Sequence, residues 1–149
     1  KLGIRFGSVN VELVVDKNNK VWPIDIGPRA GGNMIPDLLG MIFGVDVVKM
    51  AVLTAMGEKI EENINEGIPF CATHNLHTNQ NGKYKNIEFS NELENKIIRE
   101  CLYKKTGDDV AFFDNAAKAL GIIFMKFNNQ EEMTDILTNI NEYYSVVVE

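Results

Sequence analysis

The chain has 149 residues, 45% of them hydrophobic, with 15 basic against 21 acidic side chains and a net charge of −6. That is enough apolar material for a globular core, and the acidic balance, with a pI near 5.0, argues against a nucleic-acid groove, where phosphate demands a basic face. No apolar run is long enough to span a bilayer, so neither a nucleic acid nor a membrane is an expected partner.

Lys1 follows no initiator methionine, and LGIRFG reads as the tail of an element already under way, so a piece of a longer protein is expected. Residues 10–16 and 21–26, NVELVVD and VWPIDI, predict two strands around the turn KNNK. After the glycine loop, Pro36 suits a first helical turn and DLLGMIF runs on to Gly44. Asp46 caps a second apolar helix ending at Gly57, and Glu61, Glu62 and Glu66 then make a solvated acidic face.

From Pro69 onward, PFCATHNLHT and KYKNIEF read as strands around the turn Asn79–Gly82. Asn91 with Glu94 reads as a capping box for a helix ELENKIIRECLYKK, in which Leu93, Ile97, Ile98 and Leu102 keep helical spacing. A short strand DVAFF, a helical turn NAAKALG and a buried strand IIFMKF come next. Asn129 with Glu132 opens another helix, and SVVV closes as a strand. The pattern is α+β, with a division expected between residues 1–67 and 68–149 and a β-β-α-β-β-α-β order in the second part.

The first hairpin carries the chemistry. Closing on Asn18-Asn19, or on the wider KNNK, opposes residues whose numbers sum to 37, which stacks Val15 on Trp22, Leu13 on Ile24 and Val11 on Ile26 as one apolar, buried face. The other face then opposes Glu12 to Asp25 and Asn10 to Gly27. Two carboxylates with Cβ atoms about 5 Å apart repel unless a cation sits between them or solvent screens them. Mg2+ takes one or two carboxylates and fills its shell with water and phosphate oxygens, a metal–nucleotide arrangement. Arg29 is a bidentate clamp for phosphate or carboxylate, and Gly31 and Gly32 would let backbone N–H groups approach an anion, although a glycine pair also serves a plain turn.

These residues, GSVNVELVVDKNNKVWPIDIGPRAGG, resemble the carboxy-terminal lobe of ATP-grasp enzymes of the carboxylate–amine ligase, biotin carboxylase and carbamoyl-phosphate synthase branch. The resemblance implies an antiparallel sheet with helices followed by a small α+β domain, with ATP and Mg2+ as cofactors. It implies Glu12 and Asp25 as metal and ATP-phosphate ligands, and Arg29 as the catalytic clamp on phosphate and intermediate. Gly31, Gly32 and Asn33 would lie by the acceptor substrate. The activity it implies is activation of a carboxylate as an acyl phosphate and its joining to an amine, with the missing amino-terminal part of the protein as partner. Asp25 stands where the family has glutamate and Gly27 where it has asparagine, and Asn10, opposite Gly27, is the candidate replacement ligand. A non-catalytic binding or assembly module with a degenerate lobe is the competing reading, and a homodimer stays among the options.

Cys71 and Cys101 lie far apart without metal-ligand spacing and read as free thiols of a cytoplasmic protein. His74 and His77, three apart on a strand, should point to opposite faces and so not converge. Tyr143, Tyr144 and Phe112-Phe113 read as packing.

Overall fold

The computed structural model describes residues 3, 6–60 and 65–149. Most of the opening LGIRF segment and the pair Glu61-Glu62 lie outside the described residues; Glu66 is exposed. The chain divides into two units, residues 1–67 and 68–149.

In the first unit, β1 (Asn10–Val15) and β2 (Val21–Gly27) form an antiparallel ribbon. Helix α1 (Ile35–Phe43) starts with Pro36 in its first turn and ends on left-handed Gly44. Helix α2 (Val47–Ala55) is capped by Asp46, whose carboxylate accepts from the Lys49 N–H at 2.8 Å. The pair is bent by 110°, and among the described residues no single helix is long and apolar enough to cross a membrane.

The ribbon departs from the expected register. Asp16 N–H donates to Lys20 O and Asn19 N–H to Asp16 O, which closes a three-residue loop with Asn19 left-handed at φ 60°. This turn pairs Val15 with Val21, Val14 with Trp22 and Leu13 with Pro23, a sum of 36 rather than 37. A bulge between Glu12 and Leu13 then restores the other register, so Glu12 faces Asp25, Val11 faces Ile26 and Asn10 faces Gly27. The bulge falls beside Pro23, whose missing N–H leaves the ladder weakest there. The expected buried face is absent: every residue of β1 and β2 from Val11 to Ile26 is exposed, Ile24 by 65%. A two-stranded ribbon has no second layer of its own to bury against.

Asp16 holds the turn. Its Oδ1 accepts from the N–H groups of Asn18 (2.8 Å) and Lys20 (3.0 Å), and its Oδ2 from Trp22 Nε1 (3.1 Å). The Trp22 bond first, then the two backbone bonds, lower its pKa below the ordinary carboxylate value. A depressed folded-state pKa means the stabilisation is present above the unfolded value and is lost as the pH falls through the folded one. Fluorescence of the single tryptophan, which reports this bond, is therefore expected to change below about pH 3.8. In Asp16→Ala it should already have the low-pH form at neutrality, and identical spectra for the two proteins would refute the assignment.

The second unit holds the core. Strand β7 (Gly121–Lys126) is buried from Gly121 to Met125 and lies between β3 (Cys71–Leu76) and β5 (Ile97–Leu102), antiparallel to both. The second sheet has β4 (Gly82–Phe89) between β6 (Asp109–Val110) and β8 (Tyr144–Val148), also antiparallel. Helix α4 (Gln130–Thr138) adds Ile136, and Leu76, Tyr84, Leu93, Leu120, Ile123 and Met125 pack into the same cluster.

Two expectations fail here. Residues 71–76 and 82–89 do not form a hairpin: β3 joins one sheet and β4 the other. The Thr78–Asn81 segment is instead tied to the loop after β6, through Phe113 N–H to Thr78 O (3.0 Å) and Phe112 N–H to Asn81 Oδ1 (2.9 Å). The long helix from Asn91 is also absent. Ser90, not Asn91, caps a single turn α3 (Asn91–Glu94), and the chain then becomes β5. A central strand buried on both faces needs ladder partners along both edges, and the Ile97-Ile98 pair fits a strand as well as a helix. Gly121 allows the approach, since a Cβ there would stand 2.6 Å from Cys101 O. The second unit thus runs β3-β4-α3-β5-β6-β7-α4-β8, with 3-10 turns at Ala116–Lys118 and Ile140–Glu142.

Candidate functional site

The candidate residues sit at the bulged end of the ribbon and in the loop that leaves it. Glu12 and Asp25 are directly opposed, so their side chains leave the same face of the ribbon. Both are exposed. Asn10, two residues earlier on the same strand, donates from Nδ2 to Glu12 Oε1 at 3.4 Å. That bond uses the amide's N–H and leaves its carbonyl oxygen as an acceptor beside the carboxylates.

Gly27 lies opposite Asn10 at the end of β2. Beyond it Arg29 N–H donates to Gly27 O at 2.9 Å, a tight turn centred on Pro28. The exposed Arg29 side chain donates from Nη1 to Ala30 O at 2.9 Å. The turn thus places Arg29 just past the end of the strand that carries Asp25, four residues along the chain from the point where the two carboxylates meet.

The glycine loop is shaped for close approach. A Cβ at Gly31 would press on Ile35 at 3.0 Å, whereas a Cβ at Gly32 would meet nothing within 4 Å. Asn33 and Met34 are both left-handed, at φ 50° and 56°, and Met34 is the N-cap of α1 without a side-chain cap bond. A left-handed methionine costs about 1 kcal/mol or more, and such strain collects at ligand clamps. Met34 was not singled out in the sequence, because nothing in a methionine's surroundings signals positive φ.

The donor set suits a hard cation only in part. Among the described residues no group of three or more His, Cys, Asp or Glu side chains could hold a metal ion. Two opposed carboxylates and an amide oxygen fit Mg2+ that draws the rest of its shell from phosphates and water, and fit a closed protein cage poorly. Gly27 has room for a third side-chain ligand: a Cβ there would meet only Arg29 Cγ, at 3.8 Å.

In the second unit, His74 and His77 do converge, contrary to the strand-alternation expectation. His77 lies past the last residue of β3, so alternation no longer governs it. Their ring centroids are 5.5 Å apart, and both approach the Tyr144 hydroxyl. Cys71 and Cys101 are free thiols, and burial pushes the Cys71 pKa up.

No family model matches the sequence, and no curated protein does. Solved structures do match. Phosphoribosylglycinamide synthetase from Anaerococcus prevotii aligns over 95% of this chain and 37% of its own, at 22% identity and a TM-score of 0.70. L-amino acid ligase from Bacillus licheniformis aligns over 99% and 38%, at 18% identity and a TM-score of 0.78. The biotin carboxylase domain of 2-oxoglutarate carboxylase from Hydrogenobacter thermophilus, solved with MgADP and bicarbonate, aligns over 95% and 32%, at 14% identity and a TM-score of 0.65. At these identities the likeness is one of fold, and the chain spans less than two fifths of each of those chains.

Proposed function

From the ATP-grasp carboxy-terminal fold that this chain shares with those structures, we propose that it is part of an ATP- and Mg2+-dependent ligase. The reaction activates a carboxylate as an acyl phosphate and joins it to an amine or similar nucleophile. The observation that carries the reading is the opposition of Glu12 to Asp25 across the ribbon, with Arg29 leaving the same strand end.

Glu12 and Asp25 would hold Mg2+ on the ATP phosphates, with the Asn10 amide oxygen beside them. When bound, the cation supplies neutralisation of phosphate charge. Arg29 would clamp the transferring group through fixed N–H donors, and positioning with electrostatics is what phosphoryl transfer asks of a protein. Gly31, Gly32 and Asn33 would line the acceptor side, where the absence of bulk lets backbone N–H groups reach a substrate. We assign the protein to the cytoplasm, consistent with two free cysteines. The ATP site is shared with other parts of the same protein, so residues 1–149 alone should bind Mg2+-ATP weakly and have no ligase activity.

A specific observation favours a second reading, a binding or assembly module whose lobe has lost catalysis: Gly27 offers no side-chain ligand. The substitution Gly27→Asn discriminates, because the position has space for it. In a ligase, Gly27→Asn in the full-length protein is expected to lower the Mg2+ concentration for half-maximal ATP turnover by about threefold to tenfold, the worth of one added charge-assisted contact. Absence of ATP turnover in both proteins would favour the module. An unchanged Mg2+ requirement would show that position 27 does not face the metal.

A further inference from the structure

We propose that His74, His77 and Tyr144 form a proton-sensitive latch between the two sheets of the second unit, closed when the histidines are neutral and opened at the β8 end when His74 takes a proton. His74 belongs to β3 of one sheet, and Tyr144 is the first residue of β8 in the other. The tyrosine hydroxyl bridges them, 3.2 Å from His74 Nε2.

The hydrogen-bond inventory fixes the protonation. His77 Nδ1 is 2.8 Å from Asn75 O, a group that can only accept, so this nitrogen carries the proton of a neutral ring. The backbone N–H of His77 donates to the Tyr144 oxygen at 3.4 Å, and Nδ1, its proton on Asn75 O, lies 3.3 Å from the same oxygen. The tyrosine proton is left to donate, and His74 Nε2 is its nearest acceptor, with Asn141 Oδ1 and His77 O at 3.4 Å. A proton on Nε2 would remove that acceptor and turn it into a donor, so the tyrosine hydrogen would have to swing to the more distant Asn141 Oδ1 or His77 O.

Among the described residues no countercharge acts on His74 to favour its charged form. The partners around the cluster are Ile123 opposite His74 on β7, Phe113 stacked on His77 at 4.5 Å, and Phe89 of β4 beside Tyr144. The titratable groups that face His74 are His77 and Tyr144, and neither is anionic near neutral pH. Burial, and then the neighbouring His77, lower the His74 pKa from 6.5 to about 4. The opened state therefore binds more protons than the closed one between those values, so the latch weakens as the pH falls through that window. The same hydroxyl and His77 line a polar pocket with Thr78, Asn79, Gln80 and Asn141, which the opening would enlarge.

The test is amide hydrogen exchange across Tyr144–Val148 in the full chain between pH 7 and 4, corrected for the intrinsic rate, with His74→Gln as the comparison. Protection of β8 is expected to fall about tenfold or more in the unmodified chain while β7 holds, and to change less than about twofold in His74→Gln, which keeps an acceptor but cannot charge. Flat protection in the unmodified chain, or the same loss in His74→Gln, would overturn the latch. Should His74→Gln fail to fold, the NMR titration of the two imidazoles decides: charging of His74 below about pH 5 supports the latch, and charging near 6.5 overturns it.

Discussion

Replacing Glu12 or Asp25 by alanine in the full-length protein is expected to cut Mg2+-dependent ATP turnover by about a hundredfold or more, the scale seen when a preorganised charge-stabilising group is lost. The two residues are opposed across the ribbon, and each substitution removes one of the two carboxylates that meet there. Loss of fold is a poor alternative explanation. Both side chains are exposed, and surface substitutions typically move stability by about 0.5 kcal/mol or less. Deleting one carboxylate even relieves repulsion between like charges. The checks are steady-state ATP turnover with a thermal melt of each variant, and Glu88→Ala, an exposed carboxylate of the other unit, as the control. Turnover retained in either variant, at any Mg2+ concentration, would remove the metal-site assignment.

The largest stability effect is expected at Phe124. Its side chain is fully buried on the central strand β7, and Arg99 of β5 lies over its ring at 5.0 Å. Phe124→Ala should destabilise the second unit by about 3–5 kcal/mol, through lost transfer energy and the cavity left behind. For a unit of this size that lowers its melting temperature by roughly 12 °C or more. Circular dichroism melts of the two proteins measure it, and a shift below about 4 °C would mean that the site collapses around the smaller side chain. The first unit offers no comparable position, because every fully buried hydrophobic side chain among the described residues lies from Cys71 onward.

The limits of sequence reading show at particular residues. The Glu12–Asp25 pairing is legible from alternation and the turn residues, although the turn itself differs from the expected one. A left-handed Asn19 made the loop three residues long, and the bulge at Pro23–Ile24 cancelled the slip before it reached Glu12. Two local irregularities thus compensated, and only a backbone in three dimensions reveals that. The β5 segment failed for a different reason. Ile97, Ile98 and Leu102 satisfy helical and extended spacing alike over so short a run, and the choice fell to β7, whose unpaired edge gains a ladder.

The sequence by itself determined the α+β class, the helix starts at Pro36, Asp46 and Asn129, the buried run of β7 and the opposition of two carboxylates beside an arginine. All of these rest on local propensity or on neighbours a few residues apart. Only the tertiary structure decided that β3 and β4 part into different sheets and that β5 is a strand. It also brought His74, His77 and Tyr144 together across 70 residues of chain. Such contacts have no local signature, because they depend on which edges and faces remain unsatisfied once the central strands are buried.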